Sequence, residues 1–560
     1  MVESKLFSIE NQYLDDICQS IKQRPVYWER LIRANIVSEE DATRMKILEK
    51  QSTDEKISAV LSDLDLYSTT ILNLLSVSNR PDILKYLLIL ILELITKVPN
   101  VQFLNNLLDL NKIDNNLPFD PFLKNLKNLS TFNNDKDSIQ LLSVYNLSLI
   151  FLQYSTVIGN TDNQAKEKHF SFNNDSLISL FDHLNSLVQS SNSNYRTIAV
   201  QCISELLSIK SYRSVFWSKN SHYIPSLISL LTPYSKKKLF SSSLSNPTPQ
   251  SNSQSQSPNL SSSDHSNQPQ SNPSSASPTP SPTPSLSASN PSVSSSSTLI
   301  FRNDLQTQYK ALLSLWLLSF NPSYAVDLVL NNKNLLKTLI TISNDSIKEK
   351  IVRLSISILL NFINTTNDLN NNYTNKPLIA KKKKITKILL LNDSLPIITN
   401  LNQRKWSDEE LIDDLNNLLE ILNNSYQNLT TFDEYIIELD SMEFNWSPPH
   451  KNKEFWINYI NNFKLNDWKL FKRLMNLFNS TLSNLIIYNN DSEKLKTLNK
   501  TLAVICNDIS NVINLLPESM VILNNLGSKQ KIMSLMNSSD INLRYEALKT
   551  TQVLVAHSFN

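Results

Sequence analysis

Residues 309–320 read Tyr309-Lys-Ala-Leu-Leu-Ser-Leu-Trp-Leu-Leu-Ser-Phe320, and this stretch decides the fold class. On a helix its apolar side chains fall on nearly all faces, so it has to be covered from every side. That is the pattern of an inner helix in a layered bundle, not of an amphipathic surface helix. Lys350-Ile-Val-Arg-Leu-Ser-Ile-Ser-Ile-Leu-Leu-Asn-Phe362 reads the same way. No run with alternating β-branched residues argues for a strand. The expected class is all-α.

The flanking sequence marks where such helices begin. Ser38-Glu-Glu-Asp41, Ser52-Thr-Asp-Glu55, Ser407-Asp-Glu-Glu410 and Thr431-Phe-Asp-Glu434 each place a hydroxyl three residues before an acid. In this spacing each side chain can bond an N–H that the first turn leaves unpaired. A weak internal repeat adds to the picture. Leu526-Gly527-Ser-Lys-Gln-Lys-Ile-Met-Ser-Leu-Met536 predicts a short helix, and Asp540-Ile-Asn-Leu-Arg-Tyr-Glu-Ala-Leu548 opens a second. Asn194-Tyr-Arg-Thr-Ile-Ala-Val200 and Ser346-Ile-Lys-Glu-Lys-Ile-Val-Arg353 begin comparable helices. A polar cap, an arginine and a small alanine on an apolar helix is the pattern of an armadillo or HEAT unit, which buries its core only by stacking.

Composition narrows the function classes. The 560 residues exceed the usual size of one domain, and 53 basic residues nearly cancel 51 acidic ones. That balance argues against a nucleic-acid partner. The chain has only two glycines, Gly159 and Gly527. A phosphate cradle needs glycines close together, so the nucleotide loops and the G-x-S-x-G elbow cannot be built. Asn is abundant and can replace glycine at left-handed helix ends. Cys18, Cys202 and Cys506 lie far apart and form no C-x-x-C pair. His169, His183, His222, His265, His450 and His557 lack metal-ligand spacing. No catalytic residue, no metal and no cofactor is therefore expected.

Four local features carry competing readings. Trp446, Phe455 and Trp456 form an aromatic group beside prolines that reads as core, with interface anchors as the alternative. His450 sits in Trp446-Ser-Pro-Pro-His-Lys451, and a structural role in a proline-stiffened turn is favoured over catalysis. Asp408-Glu409-Glu410 and Asp413-Asp414 read as helix-start and surface charge rather than as acid–base pairs. Lys381-Lys-Lys-Lys384 reads as a solvated loop, with an anionic partner as the alternative. The run Ile83–Val98 is interrupted by Lys85 and Glu93. It is expected to be a buried helix, too short and charged to insert directly in a membrane. Met1–Gln23 has no signal-peptide core, so the cytosol is the expected compartment. Residues 241–298 are almost wholly Ser, Pro, Asn, Gln and Thr, including Ser277-Pro-Thr-Pro-Ser-Pro-Thr-Pro284. They are expected to be a disordered insertion.

Several blocks, taken in order, resemble the H-subunit family of the vacuolar-type proton-pumping ATPases (V-ATPases). They are Val26-Tyr-Trp28, Ile36-Val-Ser-Glu-Glu-Asp41, Tyr212-Arg-Ser-Val-Phe-Trp217, Leu305-Gln-Thr-Gln-Tyr309 and Leu315-Trp-Leu-Leu-Ser-Phe-Asn-Pro322. Ser346–Arg353, Asn361-Phe362, Thr431-Phe-Asp-Glu-Tyr435, Glu438-Leu439, Trp446–Lys451 and Glu454-Phe-Trp456 follow, then Leu526-Gly527, Arg544-Tyr545 and Ala547-Leu548. The Trp446 block carries a proline where the family often has valine. Similarity is faint over 50–190 and absent over 241–298.

The resemblance implies an armadillo/HEAT-like helical solenoid over 1–430 with a smaller C-terminal helical domain over 431–560. It implies a regulatory, non-catalytic member of the soluble V1 sector, on the cytosolic face of the vacuolar membrane and in the cytosol when that sector detaches. Expected partners are other subunits of the hetero-oligomeric pump: the E and G subunits of the peripheral stalk, the membrane sector's a-type subunit, and rotor and catalytic-sector subunits. Such a protein is needed for ATP-driven proton transport and silences ATP hydrolysis by the detached sector. The junction residues Phe432, Tyr435, Trp446, Pro448, Lys451, Phe455 and Trp456 form the candidate inter-domain or partner surface. A generic solenoid adaptor and an enzyme without a recognisable motif remain the alternatives.

Overall fold

The computed structural model describes residues 7–35, 37–160, 174–232, 292–364, 376–488 and 491–558. Every regular element among the described residues is a helix. The expected insertion lies outside the described residues as far as 291, and the helix Ser292–Ser319 takes up its last residues.

A row of helices forms the spine of the first unit. Pro81–Lys97 packs on Lys136–Asn160, which packs on Ser193–Ser208. Ser193–Ser208 packs on Ser292–Ser319, that helix on Glu349–Ile363, and that on Glu409–Leu429. The stretch at 309–320 is thus an inner helix: Ala311, Leu312, Leu315 and Leu318 are all 0% exposed. Its partly polar residues are tied sideways, with Trp316 Nε1 donating to Ser357 Oγ at 3.0 Å and Gln308 Nε2 to the Leu231 carbonyl.

Asparagine does more than cap here. Asn125 Nδ2 donates to the Leu75 carbonyl at 3.1 Å, and Asn146 Nδ2 to the Leu88 carbonyl at 3.0 Å. Buried amides thus link non-adjacent helices where a partnerless polar group would be costly. At helix ends, Asn35 takes the expected left-handed position at φ 53°, but Asn11, Asn192, Asn321 and Asn452 instead cap N-termini. The Asn carboxamide oxygen accepts first-turn N–H bonds well, which suits it to that place.

Two apolar cores result. One runs from Ile9 to Leu422 and the other from Tyr435 to Leu554. In the second, Asn461–Ile487 packs on Ser492–Leu515, which packs on Ile541–Ala556. Gly527 stands at φ 61° between Ser519–Asn525 and Ser528–Ser534, where a β-carbon would strain the backbone.

Ser38, Ser52 and Thr431 cap helices as their spacing predicts. At the fourth site the cap moves one residue on. Asp408 accepts from Leu411 N at 3.2 Å, because Ser407 is engaged by the Glu349 carboxylate and Arg353 holds Asp408 at 3.1 Å. The lysine run departs from the expected loop. Lys381–Lys384 lies within the helix Lys376–Leu391, not in a loop. Lys382 is 4% exposed and donates to the Asn364 carbonyl at 2.5 Å, while Ile385 and Leu389 bury the same helix.

Among the described residues no single helix is long and apolar enough to cross a membrane. The bent pair Pro81–Lys97 and Pro99–Lys112 passes by length and composition together, with a 109° break. Its residues Ile83, Leu84, Leu87, Leu88 and Ile91 are 0% exposed inside the first core, as expected of a buried helix.

Candidate functional site

The two cores meet at a short break. The helix Glu409–Leu429 stops at Thr430, and Thr431 starts the next helix, Phe432–Ser441, by accepting from Glu434 N at 3.3 Å. Met442 ends that helix in the left-handed region at φ 59°. Ser447 is extended, and Pro448 then opens the turn Pro448–Lys451. Proline fits there because the first helical N–H has no partner to lose. This turn drives His450 inward, and Asn452 caps the following helix Lys453–Tyr459.

A polar network sits under the turn. His450 Nδ1 lies 2.9 and 2.8 Å from the two Asp508 oxygens, and Nε2 lies 3.1 Å from Glu438 Oε2. Tyr435 Oη donates to Asp508 Oδ2 at 3.1 Å, and Ser447 Oγ to Glu438 Oε2 at 2.9 Å. Asn507 Nδ2 donates to the His450 carbonyl at 2.9 Å, and Lys549 Nζ to Asn507 Oδ1 at 3.0 Å. The network therefore joins the helices Phe432–Ser441, Ser492–Leu515 and Ile541–Ala556.

Carboxylates only accept, so a ring with carboxylates at both nitrogens must donate from both and carry a positive charge. Burial alone would lower the His450 pKa. The charge and hydrogen bonds of Asp508, then those of Glu438, outweigh it and hold the ring at about 9. Burial pushes the Asp508 carboxyl up, and His450, Tyr435 and Asn507 draw it back. Burial, with the Asp508 charge, keeps the Tyr435 phenol protonated as the donor the geometry requires. A His–Asp pair could in principle serve acid–base chemistry. Both side chains are 0% exposed, however, so no substrate reaches them. The arrangement fixes a fold.

Three ion pairs join the two units. Lys387 Nζ lies 3.1 Å from Glu434 and 3.9 Å from Glu438, so a lysine of the Lys376–Leu391 helix touches the carboxylate that holds His450. Lys451 Nζ bonds Asp393 Oδ1 at 2.5 Å.

The candidate residues separate into two groups. Tyr435, Phe455 and Trp456 are 0%, 1% and 3% exposed, and with buried Pro448 they build the second core. Tyr435 packs against Phe444, Phe455, Trp456 and Phe463 with ring centroids 5.5–5.9 Å apart. Phe432 and Trp446 are half-buried; Phe432 stacks on Tyr459 at 5.6 Å, and the Lys451 ammonium lies 6.0 Å from the Trp446 ring. Of the seven, only Lys451 is exposed, and it already spans the two units.

Asp508, Lys387 and Asn507 do not stand out in the sequence. One signal for Asp508 is there: an acid within Leu502-Ala-Val-Ile-Cys-Asn-Asp-Ile-Ser510 interrupts an apolar helix where a charge needs a buried partner. Lys387 gives no such signal, since it follows a lysine run and its partners come from the next unit.

Comparison with known proteins bears on both units. Two family models, each for the H subunit of the V-ATPase, match residues 12–422 and 428–559. The V-type proton ATPase H subunit of Drosophila melanogaster is 31% identical over 271 residues, covering 48% of this chain and 52% of that protein. The probable V-type proton ATPase H subunit of Oryza sativa subsp. japonica is 30% identical over 265 residues, covering 47% of this chain and 50% of that one. The chain thus spans about half the length of these relatives. An engineered protein of solved structure covers 94% of this chain and 98% of its own, at 11% identity and a TM-score of 0.35, a likeness that carries no argument.

Proposed function

Because this chain belongs to the V-ATPase H-subunit family, we propose that it is the non-catalytic regulatory subunit of the soluble V1 sector of a vacuolar proton pump. In this reading it divides into an armadillo/HEAT-like unit, 1–430, and a C-terminal unit, 431–560. The first unit grips the peripheral stalk, made of the E and G subunits. The second exchanges contacts with the membrane sector's a-type subunit for contacts that brake the rotor once the soluble sector detaches. The chain then works on the cytosolic face of the vacuolar membrane and passes to the cytosol with the detached sector.

The observation that carries the mechanical part is the bridge from Lys387 to Glu434 and Glu438. It couples the first unit to the buried network that fixes the second, at a junction containing no open catalytic cleft around His450. Phe432, Trp446 and Lys451 are the pivot's outer contacts, and Tyr435, Pro448, Phe455 and Trp456 are the packing that keeps it stiff. Deleting the gene tests the reading. Vacuolar vesicles from the deletion strain are expected to retain pump subunits but to lose ATP-driven acidification. Normal acidification, or recovery of the chain with cargo receptors and no ATPase subunit, contradicts it.

A further inference from the structure

The helix Ile541–Ala556 is apolar on two opposite faces. Leu543, Ala547, Thr550 and Leu554 are 0% exposed and pack inward. On the other side Ile541, Tyr545, Leu548 and Val555 are 72%, 64%, 47% and 41% exposed. With exposed Gln552 they follow one another at steps of four, three, four and three. That alternation is the seam of a two-helix coiled coil, in which each side chain enters a hole on a facing helix. No surface helix needs such a seam toward water, and scattered exposed apolar residues do not fall into this register by folding requirements alone.

Charge says what kind of helix fits. Arg544 and Lys549 occupy the positions that flank the seam. The single acid between Ile541 and Ser558 is Glu546, which is 8% exposed and pairs with Lys549 at 3.3 Å. Arg544 donates to the Ser538 carbonyl, and no carboxylate pairs with it among the described residues. A second copy of this chain would set these cations against themselves, which disfavours self-pairing.

We propose that this outward face is a docking seam for one amphipathic helix of another polypeptide, with acidic residues along the flanks of its apolar stripe. The inference names a surface and a partner chemistry. It holds whether or not that polypeptide belongs to the pump, so it can fail without the family-based reading failing.

A synthetic 21-residue helical peptide with Leu at the seam positions and Glu at both flanks is the probe. Its binding to the full chain is followed by fluorescence anisotropy, beside the same peptide with Lys at the flanks. The acidic peptide is expected to bind at least about tenfold more tightly than the basic one, a difference of ~1.4 kcal/mol. Tyr545→Asp and Leu548→Asp should each weaken it by at least about tenfold. Val77→Asp, at another exposed apolar residue, should not. Arg544→Glu should shift the preference toward the basic peptide. Absence of binding by the acidic peptide, equal binding of both, or indifference to Leu548→Asp overturns the proposal. So does a dimer in sedimentation velocity that Leu548→Asp abolishes, since the occupant would then be a second copy.

Discussion

At the residue scale the structure turns on His450. Its partners lie 58 and 12 positions away in sequence, so reading along the chain finds the histidine but not its environment. Its ring is held at about 9, against an ordinary value of 6.5. A pKa raised by folding means that the protonated ring stabilises the folded state. The contribution is complete below pH 6.5, declines as the pH rises above it, and is gone beyond about 9. The C-terminal unit should therefore lose thermal stability between pH 7 and about 9.5. In His450→Gln the same interval should be nearly flat, from a lower starting point. Asp508→Asn leaves a buried imidazolium short of its counter-charge and should cost about 3 kcal/mol or more. Urea unfolding of the second unit, followed by hydrogen exchange at Leu502–Ile513, measures this. An unchanged exchange pattern in Asp508→Asn would mean that the network does not hold the second unit together.

Helices were legible to different degrees, for local reasons. Starts marked by Ser38, Ser52 and Thr431 could be read because a cap is a contact within four residues. The Ser407 start shifted to Asp408 because Glu349, 58 residues away, claims the serine. The lysine run is ambiguous in sequence for a related reason. Four consecutive cations look solvated, yet Lys382 turns inward to the Asn364 carbonyl while Lys381, Lys383 and Lys384 stay in water. Its aliphatic stem packs as an apolar residue would. This predicts an asymmetry within one helix. Lys382→Glu would set a buried carboxylate against a carbonyl and should destabilise the first unit by about 3 kcal/mol. Lys383→Glu, on the exposed side, should stay within ~0.5 kcal/mol. Equal effects in thermal unfolding would place Lys382 at the surface.

For the molecule as a whole, fold class followed from a few inner helices. A helix that is apolar all round needs neighbours on most sides, and 309–319 has them, while Phe320 at its end is 53% exposed. The family model matches straight through residues 50–190, where similarity was expected to be faint, because stacking constrains the apolar pattern more than residue identity. The candidate surface was less legible. Aromatic residues around 432–456 look alike in sequence, whether they pack the second core, as Phe455 does, or face its edge, as Trp446 does. What distinguishes them is packing on helices such as Ser492–Leu515, which lie outside that stretch. In the function proposed above, this chain restrains an ATPase without being one. Adding the purified full chain, mole for mole, to a soluble V1 sector that lacks its H subunit, and following ATP hydrolysis, puts that to the test. Hydrolysis is expected to fall to a small fraction of its starting rate, while the chain alone hydrolyses nothing. Undiminished hydrolysis by a sector that has bound the chain would contradict the proposal.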